Sequence, residues 1–288
     1  MAKLRSVQFP FDALREVALW LIAVVILLKI VFSVMINLVI FAGGYLNPVY
    51  TVTGGLVQST LIVNLAEFLI IVGIILTVSG LRAGDLGLRR ESIPGAVVTV
   101  TGCWVLVQVA GALWSLDRYG TLVLADLWQQ AAVAAILGAF LAQVFGNALF
   151  EETLYRGFLL PQFFIKLRAA WLGRHPEVRL AAALLISQSI FALLHIPNRI
   201  YQGIPPSAWI PGLVTLLGMG VLYAFVYLRT QNLFIAVGLH ALVNMPVALF
   251  LPQSLGRNLF ILLALLIAVF WPVLTGGLAG ICGVDRRS

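Results

Sequence analysis

Apolar stretches of about 20 residues, separated by short polar or Gly/Pro-containing pieces, dominate the pattern along this chain. Eight emerge, near 17–41, 56–79, 94–116, 137–163, 180–198, 207–228, 232–251 and 259–280. Twenty residues of helix rise about 30 Å, the hydrocarbon thickness of a bilayer. The pattern therefore predicts an all-α fold, a polytopic bundle of about eight transmembrane helices. The fourth stretch is unusual, because a helix-compatible pattern runs from Asp126 to Lys166. That is too long for one straight span. Gly138, Gly146 and Pro161 are places where it can bend, and 126–136 is either an extension or a separate interfacial helix. No repeat, linker or low-complexity segment interrupts the pattern. One integral membrane domain over 1–288 is expected, with the chemistry-bearing core at about 126–250.

Composition agrees. Hydrophobic residues make up 61% and charged residues 10%, against about 45–50% and 25% in soluble domains. The mean hydropathy is +1.05. The first apolar stretch is too long for a cleavable signal, and no small-residue cleavage site follows it. Cys103 and Cys282 lie in different stretches, so no disulfide or metal framework is expected.

The net charge of +7 is informative through its distribution. With the N-terminus inside, the inner face receives Lys3, Arg5, Arg15, Arg82, Arg89, Arg90, Lys166, Arg168, Arg174, Arg179, Arg229, Arg286 and Arg287. The outer face receives Arg118, Arg199 and Arg257. Thirteen against three is a strong positive-inside bias. It predicts an even number of spans with both termini cytoplasmic, and it explains the charge without nucleic acid. The expected setting is a multi-pass membrane protein in contact with lipid, in the plasma membrane if the source is prokaryotic.

A few charges fall inside the apolar stretches, where each costs about 2.5–3.5 kcal/mol on insertion scales unless it faces protein or a wet cavity. Glu151-Glu152-Thr-Leu-Tyr-Arg156 lies in the fourth stretch, Phe191 and His195 in the fifth, His240 and Asn244 in the seventh. Residues four apart share a helix face, so Glu152 lies over Arg156 and His240 over Asn244. Glu151 is turned about 100° away, onto the face of Asn147 and Tyr155. Glu152 and Arg156 can neutralise each other, leaving Glu151 for a partner on another helix. Counted from the inner ends, these groups lie roughly 14–23 Å deep, at overlapping levels. A carboxylate and two imidazoles converging in a low-dielectric cavity suit hydrolysis. Glu151 is the candidate general base, with His195 helping to hold the water. His240 and Asn244 offer two donors, one turn apart, for a developing oxyanion.

The three motifs EETLYRG, FALLH and HALVN, in this order, resemble the E-E-x3-R, F-x3-H and H-x3-N motifs of the CAAX-endopeptidase and bacteriocin-processing (CPBP, or Abi) glutamic intramembrane proteases. The resemblance covers roughly residues 126–250. It implies a helical bundle with a cavity open toward the cytoplasm and cleavage near the cytoplasmic leaflet. It also implies water activation by Glu151 and His195, an oxyanion site at His240 and Asn244, and supporting roles for Glu152 and Arg156. The implied substrates are CAAX-type prenylated peptides or other membrane peptides.

Other readings compete. Glu plus two His can hold zinc, but no His-Glu-x-x-His spacing is present, and the expectation is no cofactor and no metal. A scaffold or immunity protein could keep the fold without the chemistry. A proton-coupled transporter could use Lys29, Glu67, Glu151 and the histidines, although the inverted repeat of that class is missing. Lys29 and Glu67 can pair, and no role transfers to them from the resemblance. His175 lies in a basic loop and reads as solvated. Trp20, Trp114, Trp128, Trp209 and Trp271 lie near span ends, where aromatic belts form.

Overall fold

A computed structural model describes Phe11, residues 13–169 and residues 175–282, with side chains as far as Trp271. The expected positions of Lys3, Arg5, Arg174, Arg286 and Arg287, and those of the chain ends, lie outside the described residues. In chain order the helices are α1 Leu19–Phe41, α2 Asn47–Val52, α3 Ser59–Ser79, α4 Arg90–Tyr119 and α5 Asp126–Gln130. After these come α6 Val133–Ala169, α7 Pro176–Tyr201, α8 Pro206–Thr230, α9 Leu233–Asn244 and α10 Gln253–Trp271. Seven of them are long and apolar enough to cross a membrane. There is no strand among the described residues. Leu69 is 64% and Val98 73% exposed. Such apolar surface, spread around a bundle, is suited to lipid rather than water. The chain is an integral multi-pass membrane protein.

The stretch left open at 126–136 divides in two. α5 is a separate short helix, and an extended Ala131–Ala132 step leads into α6. α6 is the long central element, and it is not uniform. Wide π-type turns at Ala142–Ala148 and Thr153–Leu159 bracket a single regular turn, Leu149–Glu152. Such turns insert an extra residue and re-aim the side chains beside them, often at functional sites. α6 packs closely on its neighbours because it carries glycine where they press. A Cβ on Gly138 would collide with the Gly55 and Leu56 carbonyls, and one on Gly157 with the Leu86 carbonyl.

The expectation of a full seventh span at 232–251 is corrected. α9 has 12 residues, about 18 Å of rise, too short to cross alone. Pro246 stops it, because a proline lacks the N–H and drives the residue before it out of the helical region; Met245 has φ −132° and ψ 82°. The next residues run on irregularly at membrane depth, where every backbone polar group needs a protein partner. Trp104 Nε1 donates to the Val247 carbonyl at 3.1 Å and Trp128 Nε1 to the Ala248 carbonyl at 2.9 Å. The Leu249 N–H donates to Gln108 Oε1 and its carbonyl accepts from the Ala125 N–H, both at 2.7 Å. The other end of the segment is pinned to the start of α4, where Asn232 Nδ2 donates to the Ser92 carbonyl at 2.7 Å. A half-helix and an extended tail thus together run the length of α4.

Two ends of the bundle can be told apart. One gathers the start of α1, the 80–89 loop, and the junctions α6–α7 and α8–α9. There Gln162 on α6 accepts from the Val17 N–H at 2.9 Å and donates to the Arg15 carbonyl at 3.0 Å, and Lys166 pairs with Glu16 at 2.6 Å. The other end holds α2, α5, the α7–α8 junction and the start of α10; Phe41 meets Tyr201 there.

Candidate active site

The three motif helices bring their polar groups together. Glu151, on the one regular turn between the wide turns of α6, is 7% exposed. Its Oε1 lies 3.6 Å from His195 Nε2 and its Oε2 lies 3.6 Å from His240 Nε2. Oε2 finds no hydrogen-bond donor among the described residues. Glu152, next in sequence, points elsewhere and is fully buried. Its Oε1 is 3.1 Å from Arg156 Nη1 and 2.8 Å from His240 Nδ1. Glu152 and Arg156 pair as the spacing predicts, and the network also reaches a second helix.

His195 sits at a break in α7. The regular helix ends at Leu193 and restarts at Ile196, because Pro197 cannot continue the i→i−4 ladder. The His195 N–H turns to the Ala192 carbonyl at 3.1 Å, three residues back. That leaves the Phe191 carbonyl, four residues back, free to face the ring, and it lies 2.8 Å from His195 Nδ1. A carbonyl only accepts, so Nδ1 carries the hydrogen. In the neutral ring Nε2 is then a lone pair aimed at Glu151. Ser33 Oγ on α1 donates to the Leu194 carbonyl at 2.9 Å, and Phe191 stacks edge-on against the imidazole at 4.7 Å.

The same logic orients His240. Its Nδ1 faces a carboxylate oxygen that is also ion-paired with Arg156, so Nδ1–H donates to Glu152, and that bond fixes the tautomer and the ring orientation. The Tyr223 ring lies flat on the imidazole, with centroids 4.5 Å apart and 15° between planes. The Nε2 of His240 becomes a donor toward the cavity only in the imidazolium form. Asn244, the last residue of α9, donates through Nδ2 to Gln143 Oε1 at 3.0 Å. Gln143 also accepts from Asn147 at 3.3 Å.

Arg156 is 0% exposed. Besides Glu152 it donates from Nη2 to the Gly220 carbonyl at 3.0 Å and lies over the faces of Phe191 and Tyr223. A Cβ at Gly220 would sit 2.8 Å from Gln188 Oε1 and 3.2 Å from the Phe191 ring, so the α8 backbone approaches this closely only as glycine.

These groups line a cavity of about 620 Å³. Glu151, His195, His240 and Asn244 all reach it, as do Lys29 and Glu67, which pair at 2.9 Å. Glu152 and Arg156 lie behind it. Phe191 positions two groups: its ring touches Arg156 and Tyr155, and its carbonyl holds His195. Sequence reasoning missed Tyr223, Gly220 and Gln143. Gln143 stands four residues before Asn147 and eight before Glu151, a same-face spacing that could have found it. Tyr223 and Gly220 sit in an apolar stretch with no motif, and nothing in their spacing marks them. No group of three or more His, Cys, Asp or Glu is placed to hold a metal ion among the described residues.

Comparison with known families agrees with the motifs. Residues 132–246 match the family model described as type II CAAX prenyl endopeptidase Rce1-like. No curated protein and no solved structure matches the chain significantly. The matched residues 132–246 contain all three motifs, EETLYRG, FALLH and HALVN.

Proposed function

Starting from that Rce1-like match, we propose that this protein is a glutamate-dependent intramembrane endopeptidase that hydrolyses a peptide bond with an activated water and no covalent intermediate. The observation that carries the reading is Glu151, whose two oxygens face the Nε2 atoms of His195 and His240 at 3.6 Å each inside the cavity. Neutral His195 presents a lone pair and Glu151 a carboxylate, so a water between them donates one hydrogen to each. Its own lone pair is then turned toward the substrate carbonyl. Glu151 takes the proton as general base and returns it to the leaving amine. The oxyanion forms near the end of α9, where the second N–H of Asn244 and the imidazolium N–H of His240 are its donors. Glu152 holds His240 by Nδ1, and Arg156 holds Glu152; both are positioning residues. No resident metal or cofactor enters this scheme.

The test is proteolysis by purified protein in detergent or liposomes. Wild type and Glu151→Gln are incubated with a quenched prenylated Cys-a-a-X peptide and with unmodified membrane peptides, with and without chelator. Cleavage by wild type alone, unaffected by chelator, is the expected result. Loss of cleavage on chelation would replace the glutamic mechanism with a metal-dependent one. A Glu151→Gln protein that cleaves normally would remove Glu151 from the chemistry and favour a scaffold reading for the motif.

A further inference from the structure

Glu151 lies 18 residues from each end of α6, so depth alone does not say from which side the cavity is reached; the lining does. The lining reaches one end of the bundle through Phe41 at the end of α1, Thr60 at the start of α3, Gln202 just after α7 and Arg257 near the start of α10. All four belong to the same end. Toward the other end the cavity stops. Every residue from 150 to 162 on α6 is buried. Leu86, in the 80–89 loop, is 0% exposed, and its carbonyl is pressed against Gly157. Tyr155 is the lining residue of α6 nearest the closed end.

The basic residues divide by the same two ends. Arg15, Arg82, Arg89, Arg90, Lys166, Arg168, Arg179 and Arg229 belong to the closed end, and Arg118, Arg199 and Arg257 to the open one. Basic residues in short loops near span ends are retained on the cytoplasmic side. By that rule the closed end is cytoplasmic. The two sequence-based expectations, a cytoplasmic N-terminal end and a cavity open to the cytoplasm, cannot both hold in this fold, because α1 begins at the closed end.

We infer that the cavity opens on the non-cytoplasmic side of the membrane. If hydrolysis is the role of this site, as proposed above, its substrates are membrane-inserted or exported peptide segments whose cleavable bond enters from the outer leaflet. A lipidated peptide lying on the cytoplasmic leaflet would meet the plugged end, where the 80–89 loop and the buried run on α6 separate it from Glu151.

The test does not depend on catalysis, so the side of opening and the hydrolytic reading can fail separately. The full chain is expressed in bacterial cells with Cys103→Ala and Cys282→Ala, and one cysteine is returned at Gln202→Cys or Ser207→Cys at the open end, or Arg90→Cys at the closed end. A membrane-impermeant maleimide is applied before and after permeabilisation. The inference expects Gln202→Cys or Ser207→Cys to react in intact cells, and Arg90→Cys only once the membrane is breached. Reaction of Arg90→Cys in intact cells, or of both open-end positions only after permeabilisation, would overturn it.

Discussion

The two halves of this bundle hold buried charge in different ways. In the motif half, Arg156 is gripped by a carboxylate on its own helix, a carbonyl on α8 and two aromatic faces, and its partner Glu152 also takes the Nδ1–H of His240 on α9. Three helices, α6, α8 and α9, share the hydrogen bonds and ion pairs of this network behind the cavity, while Glu152 Oε2 and Arg156 Nε stay buried without a hydrogen bond. Between α1 and α3, Lys29 meets Glu67 through one oxygen at 2.9 Å, Glu67 Oε1 is buried without a hydrogen bond, and the ammonium faces the cavity and lies over the Phe150 ring of α6 at 4.7 Å. A charge held from three helices fixes where those helices stand. A charge held by one ion pair and one aromatic face neutralises a wall and leaves the helices to be placed mostly by apolar packing.

The largest effect should follow from Arg156→Met. It leaves the Glu152 carboxylate buried without its cation, and breaking a buried pair from one side costs about 3–5 kcal/mol. Thermal unfolding in detergent should show this loss, together with loss of cleavage. A wild-type melting temperature would break the distinction drawn between the two halves.

Glu151→Gln should separate chemistry from folding. Removing a general base lowers rates by about 10²–10⁴-fold, while the neighbouring Glu152–Arg156–His240 network stays intact. The expected result is an unchanged melting curve with cleavage reduced by that factor. Next comes Asn244→Ala, which removes one proposed oxyanion donor and should lower kcat by about 10²–10³-fold with little change in KM. A rise in KM at constant kcat would instead make Asn244 a substrate-binding group.

The smallest effect sharpens the comparison most. Replacing a buried ion pair by apolar residues of similar volume is often neutral, or stabilising by about 1–4 kcal/mol. Lys29→Met/Glu67→Leu should behave this way in chemical denaturation, because the pair is hydrogen-bonded only within itself and an apolar side chain can still pack on the Phe150 ring. Arg156→Met/Glu152→Leu should stay destabilised, because it also strips His240 of its acceptor and the Gly220 carbonyl of its donor. Equal behaviour of the two double variants would dissolve the difference between the halves.

Much of this was legible in the chain. Apolar runs long enough to cross a bilayer located seven helices, because in lipid the backbone has little alternative to helix. One expectation went astray for a physical reason. The run 232–251 is apolar throughout, so hydropathy read it as a full helix, but Pro246 ends the helix and the rest is satisfied by Trp104, Trp128 and Gln108 from other parts of the fold. The pairing of Glu152 with Arg156 was readable from four-residue spacing. The service of the same oxygen to His240 was not, because it depends on how α9 docks on α6.

By itself the sequence determined the membrane setting, the helical class, the uneven distribution of basic charge and the identity of the polar groups that converge. Each follows from local quantities: the length and composition of a run, and the spacing of residues along one helix. The tertiary structure alone decided the rest. It turned Glu151 toward two imidazoles and Glu152 away from the cavity, broke α7 so that the Phe191 carbonyl could hold His195, and placed Tyr223 flat on His240. It also put the mouth of the cavity at the end opposite the basic loops. These depend on how helices distant in sequence pack, on wide turns that re-aim side chains, and on glycines that let backbones meet. None of that is written in the periodicity of a single segment.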